Sequence, residues 1–190
     1  MFESEEVLEI YNRINGDKSR FLSICTGLEN AIEVLIAHYY ALGDEDYKNF
    51  LGVIFANDVE LTFSKKINML ERFLKKYLPE YLKDKPDFIQ KLNRVRKLRN
   101  KYAHSINLTP EELTAFIGKK YYKLGFIEEG VPKEETVSSE DILARNTEAG
   151  ELLQEISNLD EIFMNLAIER FNKHLELIES IKQTNLKNKD

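Results

Sequence analysis

The residues of this chain that could do chemistry lie close together between positions 99 and 104. Arg99, Asn100 and His104 place a guanidinium, a side-chain amide and an imidazole within six consecutive residues. A guanidinium stays charged and can bind two phosphate oxygens at once. An imidazole, with an unperturbed pKa of about 6.5, can exchange protons at neutral pH. An Arg-x4-His spacing on a helix is a weak pattern by itself, but these side chains are the types needed to bind a phosphate and act on it.

More cations surround this group, in a stretch that has no carboxylate between Lys91 and Ser105: Arg94, Arg96, Lys97 and Lys101. On a helical wheel, Arg94, Lys97 and Lys101 fall opposite the apolar stripe of their helix. We expect them to form a solvated face first and a surface that attracts an RNA backbone second. Arg96 lies with Asn100 and His104 along one edge of the stripe, at four-residue steps.

Arg99 falls on the other edge of the stripe, beside Ala103. A guanidinium at the margin of an apolar stripe must be paired, or must face a cleft or a subunit interface. A purely structural interpretation is that Arg99 pairs with Glu29 or Glu33 of an earlier helix while Asn100 and His104 cap the end of their own helix. The functional interpretation is that all three line a phosphate site.

Composition limits the classes of protein to which the chain can belong. Its 190 residues are sufficient for one domain with a real core. The formal net charge of -6 argues against bulk coating of nucleic acid, so any such contact must be local. A single cysteine, Cys25, excludes an intrachain disulfide framework and a thiolate metal site. We expect no metal, no cofactor, no membrane span and a cytoplasmic location.

Apolar periodicity predicts helices through most of the chain. A short lead ends at a break over Gly16 and Asp17, where Asp17 caps a long helix that runs to Gly43. Its apolar face carries Phe21, Cys25, Leu28, Ile32, Leu35 and Tyr39. Residues 44–60 are less periodic and predict a connection with a short helix packed on the core.

Capping signals place the next three helices. Thr62 or Ser64 caps a helix that ends before Pro79, and a central helix begins near Pro86 and ends near His104. The central helix is expected to bury Phe88, Leu92, Val95, Leu98 and Tyr102. Thr109, Pro110 and Glu112 form a capping-box pattern that starts a short helix through Phe116.

Residues 118–136 lose the helical period and are rich in glycine, which indicates a loop or a small β-hairpin. Helix resumes over about 139–182, with a candidate break at Gly150, and either completes the bundle or extends across a partner subunit. The sequence therefore predicts an all-α, up-and-down helical bundle of about five main helices. A small irregular or β-hairpin insertion near 118–136 and a long C-terminal helix complete a single domain over 1–190.

The order of these features over 17–106 resembles the HEPN domain family, in particular its mannitol-repressor-like branch. The matching features are, in chain order, a long first helix, a second amphipathic helix, and a basic helix that ends in RKLRNKYAHS. The specific part of the resemblance is the Arg-Asn-x3-His element at Arg99, Asn100 and His104.

The resemblance implies a homodimer in which two Arg/His motifs face each other across one cleft. It also implies RNA cleavage without a metal, in which the ribose 2′-hydroxyl attacks the neighbouring phosphorus and leaves a 2′,3′-cyclic phosphate. His104 would act as general base or acid, Arg99 would stabilise the five-coordinate transition state, and Asn100 would orient the imidazole or the phosphate. Such an endoribonuclease would belong to a toxin–antitoxin or defence system and be restrained by a partner protein.

Two other functions remain open at this stage. The mannitol-repressor-like branch is associated with regulation through protein contacts, so the same domain could be a noncatalytic regulatory or interaction module. A repressor that binds DNA directly is less favoured, because no helix-turn-helix signature accompanies the basic helix.

Overall fold

The computed structural model describes residues 4–41, 62–106, 108–119, 121–128 and 130–187. These residues form six helices and a three-stranded antiparallel sheet in the order β1-β2-β3. The elements are α1 (Glu5–Ala41), α2 (Phe63–Tyr77), α3 (Pro79–Asp84), α4 (Phe88–Ala103), β1 (Ser105–Ile106), α5 (Pro110–Thr114), β2 (Tyr121–Glu128), β3 (Val131–Ser138) and α6 (Ser139–Lys187). The predicted all-α bundle with a small β insertion is confirmed, and the connection predicted over 44–60 lies outside the described residues.

Helices α1 and α6 pack side by side and form the long axis of the bundle. Leu153 of α6 packs against Gly27 of α1, at 3.5 Å from where a Cβ on that glycine would stand. Eleven residues further along α1, the His38 Nδ1 lies 2.9 Å from the Asp160 carboxylate. Because contacts advance together along both helices, α1 and α6 run in the same direction.

Helix α4, which carries the candidate site, runs opposite to both. Arg94 near its start forms a 2.7 Å ion pair with Glu148, whereas Tyr102 near its end accepts a 3.0 Å hydrogen bond from Arg145, one turn earlier in α6. The Tyr102 ring also packs on Phe21 of α1, at 4.9 Å between ring centroids. The end of α4 is therefore fixed against α1 and α6 together.

Helix α2 packs on the same side of α1 as α4 does and runs parallel to α1. Lys66, near the start of α2, contacts Glu29 and Glu33, and Tyr77, its last residue, stacks on Tyr39 at 4.8 Å. Helices α1, α2 and α6 therefore run in one direction, and α4 runs in the opposite direction.

The predicted break at Gly16 and Asp17 is wrong, because α1 is one helix from Glu5 to Ala41. A glycine inside a helix costs about 1 kcal/mol relative to alanine. Tertiary packing offsets this cost, since Val7 and Ile10 are buried against Leu113 in a small second core. Asp17 consequently lies inside the helix and does not cap it.

Helix α6 likewise continues through the candidate break at Gly150. Ala149 and Leu152, on either side of this glycine, are buried in the main core. Burial on one face therefore keeps the helix intact, as it does at Gly16.

The predicted starts of α2 and α5 are confirmed. The Thr62 hydroxyl accepts a hydrogen bond from the Lys65 backbone N–H, and Thr109 and Glu112 form a complete capping box. Helix α4 begins at Phe88, two residues after Pro86, because Pro86 and Asp87 form a turn.

The segment predicted as a loop or β-hairpin is a hairpin of β2 and β3, with Gly130 at φ 77° in the turn. The inner face of β2 buries Tyr122, Leu124 and Phe126. Strand β1 pairs with β2, with Ser105 opposite Phe126. This pairing brings the end of α4 directly to β2.

The first half of α6 completes the bundle, as one of the two alternatives for this helix predicted. Its buried face includes Leu152, Ile156, Leu159 and Phe163. From Ile168 to Ile181, however, every residue of α6 is exposed. The second half of α6 therefore extends beyond the described part of the bundle.

Within the described residues, Glu5–Tyr40 of α1 is long and apolar enough to cross a membrane. The core helix of a water-soluble protein can have the same length and composition. Phe21, Leu28, Ile32 and Leu35 are fully buried in the core of this bundle, so the apolar character of α1 is accounted for by packing.

Candidate functional site

The outer face of α4 and strand β2 enclose an open groove of about 710 Å³. It contains five of the seven residues that the sequence predicts for the site, namely Arg94, Lys97, Asn100, Lys101 and His104. The rest of its lining is amide or apolar: Gln90, Asn93, Leu98, Phe126 and Ile127. No carboxylate is among these lining residues, so the groove suits an anion.

The end of α4 determines where His104 lies. The helix ends at Ala103, and the His104 backbone N–H still donates to the Asn100 carbonyl at 3.1 Å. The next residue, Ser105, already belongs to β1, which pairs with β2. His104 is therefore held between a helix end and a strand, and its exposed side chain lies in the same groove as that of Asn100.

Two of the groove cations are paired with acids from other elements. Lys101 forms a 3.2 Å ion pair with Glu135 of β3, and its ammonium lies 4.8 Å from the centre of the Phe126 ring. Arg94 is paired with Glu148 of α6. Lys97 has no ion pair with any described residue, so it is the groove lysine most available to a phosphate.

Arg99 does not line this groove. It points toward α1, where its Nη2 lies 4.0 Å from a Glu29 carboxylate oxygen, and its Nη1 donates a long 3.4 Å hydrogen bond to Asn100 Oδ1. The structural interpretation of the sequence anticipated this contact with Glu29. At 4.0 Å the pair is loose, and the Arg99 side chain remains 38% exposed.

Arg96 is also absent from the groove. Its side chain is partly buried, and its Nε has no hydrogen-bond partner among the described residues. Arg96 was predicted to lie with Asn100 and His104 because the three follow one another at four-residue steps, but each such step rotates around the helix by about 40°. Arg96 is therefore on the side of α4 that faces the core.

A buried ion network lies behind Arg99. The Lys66 side chain of α2 is almost inaccessible, and its ammonium donates to Glu29 at 2.8 Å and to Glu33. Burial works to lower the Lys66 pKa, but the hydrogen bonds that the ammonium donates to the two carboxylates outweigh burial and raise it. Lys66 therefore competes with Arg99 for the Glu29 carboxylate.

Lys66 was not predicted as part of the site, although the sequence carries a signal for it. Lys66 follows Phe63 by three residues and precedes Leu70 by four, which places it on the buried face of α2. A lysine at such a position must be paired with an acid, and Glu29 and Glu33 were already the expected carboxylates of α1.

A second buried group fixes the end of α4 and was not signalled by the sequence. Arg145 of α6 donates to the Tyr102 hydroxyl and, at 2.7 Å, to Glu135. Burial works to raise the Glu135 pKa, but Arg145 and Lys101 outweigh burial and hold that pKa below its usual value. Glu135 is thus an ionised anchor that connects α4, α6 and the hairpin beside the groove.

Clusters of three or more His, Cys, Asp or Glu that could hold a metal ion do not occur among the described residues. Comparison with protein-family models, with curated proteins and with solved structures finds no match to this chain. The resemblance to the HEPN family therefore stays a prediction, and any function must be argued from the groove.

Proposed function

We propose that this protein binds RNA in the α4 groove and cleaves it without a metal, as a cytoplasmic dimer of the HEPN kind within a toxin–antitoxin or defence system. The observation that supports this best is the groove lining, which combines an imidazole, three side-chain amides and three cations with no carboxylate. An RNA phosphate brought there would lie beside His104, the proposed general base or acid.

The proposal requires two copies of the chain. Arg99 and His104 are five residues apart, which on a helix is about 140° around the axis, and Arg99 does not line the groove of its own chain. A dimer with facing motifs would let Arg99 of one copy approach the phosphate held beside His104 of the other. Arg99 is suited to this because its 4.0 Å contact with Glu29 is loose and Lys66 binds the same acid more closely, at 2.8 Å.

A cleavage assay with the purified protein tests the proposal directly. Single-stranded RNA in EDTA should yield products with 2′,3′-cyclic phosphate and 5′-hydroxyl ends. His104→Ala and Arg99→Ala should each abolish cleavage while leaving the circular dichroism spectrum unchanged. His174→Ala, which removes an exposed histidine of α6, is the matched control and should cleave like the wild type. Equal activity in His104→Ala and wild type would refute the catalytic role.

Binding can be tested separately through its dependence on salt. For single-stranded RNA the slope of log K against log salt is roughly -0.7 per phosphate contact. Lys97→Ala removes a groove cation that has no ion pair among the described residues, so it should make the slope shallower by about 0.7. An unchanged slope would show that RNA does not pass through the groove.

A noncatalytic regulatory or protein-interaction module, as in the mannitol-repressor-like branch, is the second candidate. It is favoured by the acids that neutralise cations of α4: Glu29 near Arg99, Glu148 on Arg94 and Glu135 on Lys101. This function predicts no cleavage in EDTA and a stable complex with another protein on affinity purification from the source cell. Cleavage that depends on His104 would rule it out as the sole function.

A further inference from the structure

The two ends of the α4 groove differ in their charge. The lining residues from α4 form an amide end, made of Gln90, Asn93 and Arg94, and a cationic end, made of Lys97, Asn100, Lys101 and His104. At the amide end, Arg94 is held by Glu148 at 2.7 Å. At the cationic end, Lys97 has no ion pair with any described residue. A phosphate therefore binds best at the cationic end, and the amide end is left for a neutral part of the same RNA strand.

The Asn93 side chain, at the amide end, has a fixed orientation. Its Nδ2 donates a 3.1 Å hydrogen bond to the backbone carbonyl of Ile89, one turn earlier in α4. A carbonyl oxygen can only accept hydrogen bonds, so the amide nitrogen must point to the helix backbone and Oδ1 must point away from it. This Oδ1 has no donor among the described residues and is not a buried atom. Asn93 therefore presents a hydrogen-bond acceptor to the groove.

This fixed acceptor disfavours a phosphate and favours a hydrogen-bond donor. Phosphate oxygens are themselves acceptors, whereas the neutral donors of an RNA strand are the ribose hydroxyls and the N–H groups of the bases. Adenine, cytosine and guanine each have an exocyclic amino group. Uracil has none, and its single imino N–H lies between two carbonyl oxygens that repel another acceptor. An acceptor at Asn93 thus distinguishes uracil from the other three bases, and a contact with ribose would not.

The spacing along α4 allows one nucleotide to use both ends of the groove. Asn93 lies four residues before Lys97, about 6 Å along the helix axis. The phosphate and the base of one nucleotide are separated by a comparable distance, so a phosphate on Lys97 brings its own base toward Asn93. Leu98 and Ile127, which is 56% exposed, give the groove apolar surface on which a base ring can pack. His104 is about 10 Å beyond Lys97, so this base is close to the phosphate beside His104 but separate from it.

We propose that Asn93 is a specificity-determining residue, whose Oδ1 accepts a hydrogen bond from the exocyclic amino group of an RNA base. The inference rests on the proposed binding of RNA in the α4 groove. It adds the class of base that the groove accepts, which is adenine, cytosine or guanine in preference to uracil. The contact is made by bound RNA, so it does not require that a phosphate be attacked.

Cytosine and uracil provide a matched pair of ligands for the test, because cytosine has an amino group at the position where uracil has a carbonyl. Fluorescence anisotropy in EDTA at neutral pH measures the dissociation constants of 2′-fluoro oligo-C and oligo-U. These strands lack the attacking hydroxyl and cannot be cleaved. The wild type should bind oligo-C about three- to tenfold more tightly than oligo-U, which is the effect of one neutral hydrogen bond.

Asn93→Leu removes the acceptor at nearly constant size and should abolish this preference. Its affinity for oligo-U should be at least that of the wild type, which also shows that the variant is folded. Asn158→Leu makes the same change at an exposed asparagine of α6 that does not line the groove, and it should keep the preference.

The outcomes separate this inference from the function on which it rests. Equal binding of oligo-C and oligo-U by the wild type would overturn the role of Asn93 and leave RNA binding intact. A preference for oligo-C that survives in Asn93→Leu would do the same. A wild-type protein that binds neither oligomer would count against the proposed function itself, and the inference would fall with it.

Discussion

Replacing Lys66 with methionine should destabilise the protein more than any other single loss of charge in the described bundle. Lys66→Met keeps most of the side-chain length and its packing but removes the ammonium that binds Glu29 and Glu33. The two carboxylates, one turn apart on α1, would then face each other in a site where their side chains are only 18% and 13% exposed.

The size of the effect follows from this burial. Removing one partner of a buried ion pair costs about 3 to 5 kcal/mol, because the remaining charge is left uncompensated. Arg99 lies 4.0 Å from Glu29 and can move closer to it, which compensates part of the loss. We therefore expect the lower end, about 3 kcal/mol, which for a chain of this length lowers Tm by roughly 6 to 12 °C.

Urea unfolding at pH 7, followed by circular dichroism, measures this difference. Lys65→Met changes the preceding, exposed lysine and should stay within about 0.5 kcal/mol of the wild type. Adding Glu33→Gln to Lys66→Met should restore part of the stability, since only one carboxylate then remains to be compensated.

The pH dependence provides a second check. The folded Lys66 pKa is raised above its ordinary value of 10.5, so the stabilisation by this group is fully present below that value and is lost as pH rises through the folded pKa. The difference between wild type and Lys66→Met should thus be constant from about pH 7 to 9 and shrink above about pH 10.5. A Lys66→Met protein as stable as Lys65→Met at pH 7 would refute the network as described.

Four further experiments probe other parts of the molecule. Glu135→Gln should lower the free energy of unfolding by about 1 to 2 kcal/mol at pH 7, as measured by urea titration. Because the folded Glu135 pKa is lowered from 4.5, this difference in stability from the wild type should disappear as pH falls through the lowered pKa. Gly130→Ala should destabilise the protein by about 1 to 2 kcal/mol, because Gly130 has a φ of 77°. Gly16→Ala should stabilise it by about 0.5 to 1 kcal/mol in thermal melts, because Gly16 is helical with open space around it. A Gly16→Ala protein less stable than Gly130→Ala would contradict the continuous α1. Burial raises the Cys25 pKa to about 12, so the native protein should not react with a thiol reagent at pH 8 and the urea-unfolded protein should.

The sequence predicted the helices well where one face is buried and local capping agrees with the apolar period. The starts of α2 and α5 were predicted because Thr62 and Thr109 satisfy backbone N–H groups locally. The breaks at Gly16 and Gly150 were predicted wrongly because the burial that outweighs a glycine comes from other elements. Val7 and Ile10, for example, are buried by Leu113, more than 100 residues away in sequence.

Part of the site could also be predicted, because helical periodicity shows which face of α4 is exposed. Helical periodicity correctly separates the outer face of α4, with Lys97 and Lys101, from its apolar stripe, and the groove forms on that face. The wall of the groove, Phe126 and Ile127, comes from the hairpin, and no local pattern in α4 indicates it. The acids that pair with Arg94 and Lys101 come from α6 and β3, so their positions depend on tertiary packing.

The placement of these acids changes what the basic stretch from Lys91 to Ser105 can do. In the sequence it is a run of cations without a carboxylate, which suggests a surface attractive to any polyanion. In the fold Lys91, Arg94 and Lys101 are each paired with an acid, and Arg99 is near one. Attraction for RNA must therefore arise at Lys97 and at the groove that His104 and Asn100 share with it, a region about 10 Å long. A surface of this kind discriminates by shape and by hydrogen bonds more than by charge, which is what an acidic protein needs if it is to contact RNA at one position only.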